Sequence, residues 1–327
     1  MEYNIFSMDL MDFDDAATIN ELEQPFKSDS NDSFYSCLTV THKHGFEKEI
    51  FWISGVTMAI VAFIGLIGNV INLIVLCQPE MKKSVFYQLL SALACFDIIF
   101  IIFYGGSFSY KSLACYPLNP LVEDIAFPFI KFGFLGSNYM AIGISIERYL
   151  KIRSIKFGSK RPAWIFIAIA SSISVGGTIP SIALSKNFFV NGTLSPKAKG
   201  IWSNISHEYS WDVWIELFLN TIIPLVTLLT FNGLIIIHIL RRNFKAKKMN
   251  TEIKIGRSTR ILLWTVFFIF ILNSPRLIYK GLLYFAPHQK NSWYWVRPCV
   301  RLALVSNSCI NFIIYAMVSS KYRGSLR

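Results

Sequence analysis

The sequence predicts an all-α membrane protein, a bundle of seven transmembrane helices. Three observations carry that expectation. Of 327 residues, 53% are hydrophobic and only 16% charged, whereas soluble domains carry about 25% charge. Seven separate stretches reach the length of roughly 20 apolar residues needed to cross a hydrocarbon core. Basic residues gather in alternate connections between those stretches, the pattern of loops held on the cytoplasmic side of a membrane.

The spans run over Phe51–Cys77, Val85–Tyr110, Leu121–Leu150, Ala163–Leu184, Trp211–Leu240, Thr259–Phe285 and Trp293–Ser319. In lipid such runs must be helical, because an unpaired backbone group finds no water to bond. The first connection holds Lys82 and Lys83, the third Lys151, Arg153, Lys156, Lys160 and Arg161, and the fifth Arg241 through Arg260. Lys321, Arg323 and Arg327 follow the last span, whereas the alternate loops hold few basic residues. This side is therefore expected to be cytoplasmic and the N-terminus extracellular. The glycosylation acceptors Asn31, Asn191 and Asn204, each in an N-x-S/T triplet, all fall on the expected outside.

Charge is sorted along the chain. Residues 1–50 hold 11 acidic and 3 basic side chains, and the remainder 9 acidic and 29 basic, so net −8 precedes net +20. That sorting excludes a nucleic-acid-binding face and assigns the basic excess to loops and helix ends. The expected organisation is an acidic, disordered extracellular tail over 1–50, a membrane domain over 51–319 and a short cytoplasmic stub over 320–327. No signal peptide opens the chain, since Asp12, Asp14 and Asp15 interrupt its start, so the first span is expected to direct insertion.

Six of the seven spans carry a polar or kinking marker. Gly68-Asn69 lies in the first and Asp97 in the middle of the second. The third ends in Glu147-Arg148-Tyr149. Pro224 lies in the fifth, Asn273-Ser274-Pro275 in the sixth and Asn311-Phe-Ile-Ile-Tyr315 in the seventh. Any one of these fits simple packing or a proline kink. Their order, one to a helix, together with the acid-arginine-tyrosine triplet at a helix exit, does not.

In these motifs the segment from Phe51 to Tyr322 resembles a rhodopsin-like (class A) G-protein-coupled receptor. Asn311-Phe-Ile-Ile-Tyr315, Phe231-Asn232 and Asn273-x-Pro275 resemble the invertebrate neuropeptide receptors of the FMRFamide type. The resemblance implies that an extracellular peptide ligand shifts the bundle between two arrangements and so activates a heterotrimeric G protein. It implies that Glu147, Arg148 and Tyr149, with Asn311 and Tyr315, form the coupling switch, Arg148 pairing with Glu147 at rest. It also implies a polar core of Asp97, Ser137, Asn307, Asn311 and Asn69, the first four as a site for an allosteric sodium ion. No other cofactor is expected. A protonated, hydrogen-bonded Asp97 is the alternative reading of the same residue.

Charged residues also stand in the outer halves of the spans. Along a helix Lys131 is about 26 Å from Arg148. Arg276 and Lys280 share a face, as do Arg297 and Arg301. With Glu216 and Asn273 they outline a ligand pocket, since ionisable groups in a membrane are costly and mark function. Glu216 can pair with Arg276, or the positive excess can receive an anionic or lipid ligand.

Other functions find less support. No acid lies between Asp124 and Glu147, so the third span offers no partner to an amine ligand, and no lysine lies between Pro298 and Ser320 to hold retinal. The five histidines are scattered and neither H-E-x-x-H nor G-x-S-x-G occurs, so an enzyme is not expected. A channel or transporter would use Asp97 and the intramembrane arginines as a pathway, but the paired halves common in transporters are missing. The expected extracellular cysteines, Cys37, Cys115 and Cys299, are odd in number. Several pairings stay open, of which Cys37 with Cys299 is preferred.

Overall fold

The structure, a computed structural model, describes residues 51–114, 120–153, 163–190, 193–194, 218–248, 257–285, 296–318 and 322. Seven long helices account for almost all of them: α1 (Phe51–Leu76), α2 (Val85–Ala114), α3 (Pro120–Ile152), α4 (Trp164–Phe188), α5 (218–248), α6 (Arg257–Phe285) and α7 (Val296–Val318). Five are long and apolar enough to cross a bilayer throughout. In α4 and α6 the apolar stretches among the described residues are Trp164–Ile179 and Val266–Tyr279. A single helical turn, Pro79–Lys82, joins α1 to α2.

One feature departs from an all-helical chain. Phe189–Val190 and Thr193–Leu194 pair antiparallel, Phe189 opposite Leu194. The two residues between them in sequence are Asn191-Gly192, outside the described residues.

Burial separates a lipid face from a core. Ile60, Phe63, Ile64, Ile67 and Ile74 of α1 are exposed, whereas Asn69 and Asn72 of the same helix are fully buried. Polar-in and apolar-out is what a lipid solvent selects. Inside, two apolar clusters fill the opposite ends of the bundle. One, at the Arg148 end, includes Leu76, Met81, Phe86, Leu89, Met140 and Tyr315. The other includes Met58, Phe100, Tyr104, Phe108, Val300 and Leu304.

Close helix approach is set by glycine. A Cβ added at Gly133 of α3 would lie 2.8 Å from the backbone nitrogen of Phe100 on α2, a contact that no side-chain rotation relieves. At Gly65 of α1 it would lie 2.8 Å from the Cβ of Cys309 on α7. Small residues thus let α2 meet α3, and α1 meet α7, nearly backbone to backbone.

The prolines leave carbonyls that the surroundings recover. Pro275 has no N–H to offer Ile271, and the Ser274 hydroxyl donates to that carbonyl at 2.9 Å. Pro224 frees the Asn220 carbonyl, which takes a long 3.5 Å bond from Asn138 Nδ2 of α3. One residue earlier, the Tyr139 hydroxyl donates to Leu219 at 3.1 Å. Both freed carbonyls therefore have identifiable partners, and the one in α5 is tied directly to α3.

Candidate functional site: a polar core and an arginine at the helix tip

Asp97 is completely buried in α2. An acid there would be untenable without donors, and Ser137, Asn311 and Ser308 surround it. Ser137 of α3 donates its hydroxyl to Oδ1 at 2.7 Å, and Asn311 of α7 donates Nδ2 to Oδ2 at 2.7 Å. Asn69 completes the tie between helices, its Nδ2 donating to the carbonyls of Gly65 and Ser308, each at 2.9 Å. Thus α1, α2, α3 and α7 are joined inside the bundle by the side chains of Asn69, Asp97, Ser137 and Asn311. Asn307 is buried beside them.

Three amide oxygens in this group, Oδ1 of Asn69, Asn307 and Asn311, are buried without a hydrogen-bond partner. A carboxylate together with unsatisfied carbonyl-type oxygens and a serine hydroxyl is a donor set suited to a small hard cation. The residues present therefore fit sodium.

At the end of α3, Arg148 is 4% exposed. Its Nε stands 2.9 Å from Glu147 Oε2, yet neither atom makes an aligned hydrogen bond. The reason is helical geometry. Consecutive residues project about 100° apart around the axis, so the guanidinium reaches its neighbour's carboxylate from the side. The charges meet; the N–H does not point at the oxygen. On its other side the guanidinium carbon lies 3.6 Å from the ring centre of Phe86 at the start of α2. Tyr149, the third residue of the motif, accepts a 2.9 Å bond from Arg153 at its hydroxyl and meets Phe231 of α5 edge-on at 5.7 Å.

Tyr315 of α7 is buried, and its hydroxyl has no hydrogen-bond partner. It is not bonded to Arg148 in this arrangement. Its ring instead lies 6.2 Å from that of Tyr322, whose hydroxyl donates to Asn72 Oδ1 of α1 at 2.7 Å. Burial pushes the Tyr322 phenol up to about 12, so it remains a donor across the physiological range. Nearby, Asn232 of α5 donates to Ser145 of α3 at 3.2 Å and to its own helix at Leu228, with Oδ1 left unpartnered. Sequence reading missed Phe86, Asn72, Ser145 and Tyr322. A lone polar or aromatic residue gives no signal until its neighbour across the bundle is known.

The opposite end holds the expected cations. Arg276 of α6 is buried with its guanidinium 4.7 Å from the Phe134 ring, and Arg301 of α7 lies 4.2 Å from that of Phe108. Between those rings runs an aromatic row: Phe134 to Phe100 at 5.6 Å, Phe100 to Tyr104 at 4.8 Å and Tyr104 to Phe108 at 4.7 Å. Arg297 Nε donates to the Tyr279 hydroxyl at 2.5 Å. Lys131 is half-buried and lies over Phe127, one turn back on its own helix, at 4.7 Å. Asn273 donates to Ile269 within α6 at 2.8 Å. The aromatic row thus links Arg276 to Arg301. Lys131 and Asn273 make their bonds within their own helices. Glu216, Asn31, Asn191, Asn204 and Cys37 lie outside the described residues, as does the side chain of Lys280. Cys299 is exposed.

Comparison with known proteins agrees with this layout. The family described as "7 transmembrane receptor (rhodopsin family)" matches residues 68–315. The FMRFamide receptor of Drosophila melanogaster is 24% identical over 297 residues, 84% of this chain and 53% of that protein. C-C chemokine receptor type 1 of Homo sapiens is 25% identical over 284 residues, 82% of this chain and 77% of that protein. The same receptor of Macaca fascicularis is 24% identical over the same length. The chain spans about half the length of the Drosophila receptor it matches.

Proposed function

Since the chain belongs to the rhodopsin family of seven-transmembrane receptors, we propose that it carries the binding of an extracellular peptide across the plasma membrane to a heterotrimeric G protein. Membership places it among signalling receptors rather than enzymes. The observation that carries the reading is the buried Arg148 at the end of α3, in charge contact with Glu147 but without an aligned hydrogen bond. A guanidinium held this way is easily released. Release exposes a fixed cation with five donors to a partner on that side.

In this reading the N-terminus is outside and the Arg148 end faces the cytosol, in keeping with the basic loops. A ligand acts by binding one helix arrangement more tightly than the other, and the shift cannot exceed that difference in affinity. Asp97, Ser137, Asn307 and Asn311 would hold a sodium ion, which supplies a counter-charge to the buried carboxylate. The names of the Drosophila and human relatives, an FMRFamide receptor and a chemokine receptor, favour a polypeptide ligand and differ over which.

A specific observation favours a second ligand class. Arg276, Arg297, Arg301 and Lys131 give the outer half a strong positive bias, which suits an anionic group better than a cationic amidated Arg-Phe terminus. Both readings are tested in cells expressing the chain, screened with a peptide library in free-acid and amidated forms and read as nucleotide exchange on G proteins. The peptide reading expects exchange that is lost in Arg148→Ala. Exchange with small anions alone would favour the second reading, and ion flux without exchange would overturn both.

A further inference from the structure

We propose that the ring of Phe86 is the second arm of the resting latch on Arg148, so that the latch is built between α2 and α3. This rests on the coupling role given to Arg148 above. The guanidinium carbon sits 3.6 Å from the centre of the Phe86 ring, inside the range of a strong cation–π contact. Phe86 is completely buried and Arg148 nearly so, so the contact is desolvated, the condition under which it is worth most.

The neighbouring helices offer no carboxylate alternative. Residues 218–248 of α5, 257–285 of α6 and 296–318 of α7 contain no Asp or Glu at all. Glu147 is the acid in contact, and its approach is misaligned. On α2 the Phe86 ring lies against the guanidinium, with the Tyr87 hydroxyl acting on the same charge. The ring's placement is fixed by packing. Gly133 and Gly136 bring α3 so close to α2 that any Cβ there would strike Phe100 or Phe96.

The helix start itself offers the cation no support beyond its side chains. Phe86 stands in the first turn of α2, after Ser84 in extended conformation. The aligned peptide dipoles make a helix start electropositive, which disfavours a cation beside it. The ring is what makes the position tolerable. A latch made of one sideways carboxylate and one ring can be opened by a small movement between α2 and α3.

The test is basal nucleotide exchange by the full chain in membranes, measured on reconstituted heterotrimeric G proteins and normalised to receptor at the surface. Variants are Phe86→Leu, Phe86→Met, Phe86→Tyr and, as a reference, Glu147→Gln. The proposal expects Phe86→Leu and Phe86→Met to raise basal exchange roughly fivefold, and Phe86→Tyr, which keeps a π face, to stay at the wild-type level. A rise in all three Phe86 variants would overturn it, since packing and not the ring would then hold Arg148. Wild-type exchange in Leu and Met alongside a raised Glu147→Gln would overturn it too, leaving the coupling role of Arg148 intact. No change in any variant, Glu147→Gln included, would instead defeat that coupling role and the latch with it. Should Phe86→Leu fail to reach the surface, Phe86→Met, closer in volume, decides the same question.

Discussion

Asp97 and Arg148 are both buried charges, but they are held in opposite ways. Asp97 has one aligned donor on each oxygen, at 2.7 Å from α3 and 2.7 Å from α7. Arg148 has a carboxylate at 2.9 Å that it does not hydrogen-bond, and a ring. A fully engaged carboxylate fixes helices to one another, because removing any member leaves a buried group unpaired. A cation held by a sideways charge contact and a ring can leave at smaller cost. Difference in satisfaction, not in burial, separates the hub of this bundle from its moving part.

That contrast can be broken first at the tip. Arg148→Ala should reduce G-protein exchange to the level of membranes without receptor while the protein still reaches the surface. Retained exchange in surface-labelled cells would remove Arg148 from the mechanism. The hub comes next. Asp97→Ala strips Ser137 and Asn311 of their acceptor and should cost about 3 kcal/mol, seen as a lower thermal unfolding midpoint in detergent. A variant as stable as wild type would show that the two bonds add nothing.

Gly133→Ala sharpens the comparison by attacking the α2–α3 approach that underlies both sites. Its Cβ would press on backbone, not on a rotatable side chain, so a loss of about 2 kcal/mol is expected, again in thermal unfolding. Smallest is Tyr322→Phe, which deletes the bond to Asn72 and should cost about 1 kcal/mol with basal exchange rising a few-fold. Unchanged exchange would confine Tyr322 to a structural role.

Much of this was legible in the sequence because membranes impose simple rules. Spans must be long and apolar, so Asp97, Asn69 and the prolines stood out against their background, and the Glu147-Arg148-Tyr149 motif marked one helix end. The structure brings Asp97, Ser137 and Asn311 together. Phe86 could not be read this way, being one of 28 phenylalanines whose significance lies in a contact across 62 positions of sequence. Tyr322 and Asn72 met the same obstacle. The outer arginines were visible as costly charges, but their aromatic row, with Phe100, Tyr104 and Phe108 on successive turns of α2, emerges only once α3, α6 and α7 are placed against it.

The most direct measurement is basal nucleotide exchange by Glu147→Gln, alone and combined with Arg148→Ala, per receptor at the surface. Neutralising the neighbour should free the guanidinium and raise exchange about tenfold, in line with the loss of a partly buried charge pair, and the added Arg148→Ala should silence it. Exchange at the wild-type level in Glu147→Gln, or exchange that survives in the double variant, would contradict the account.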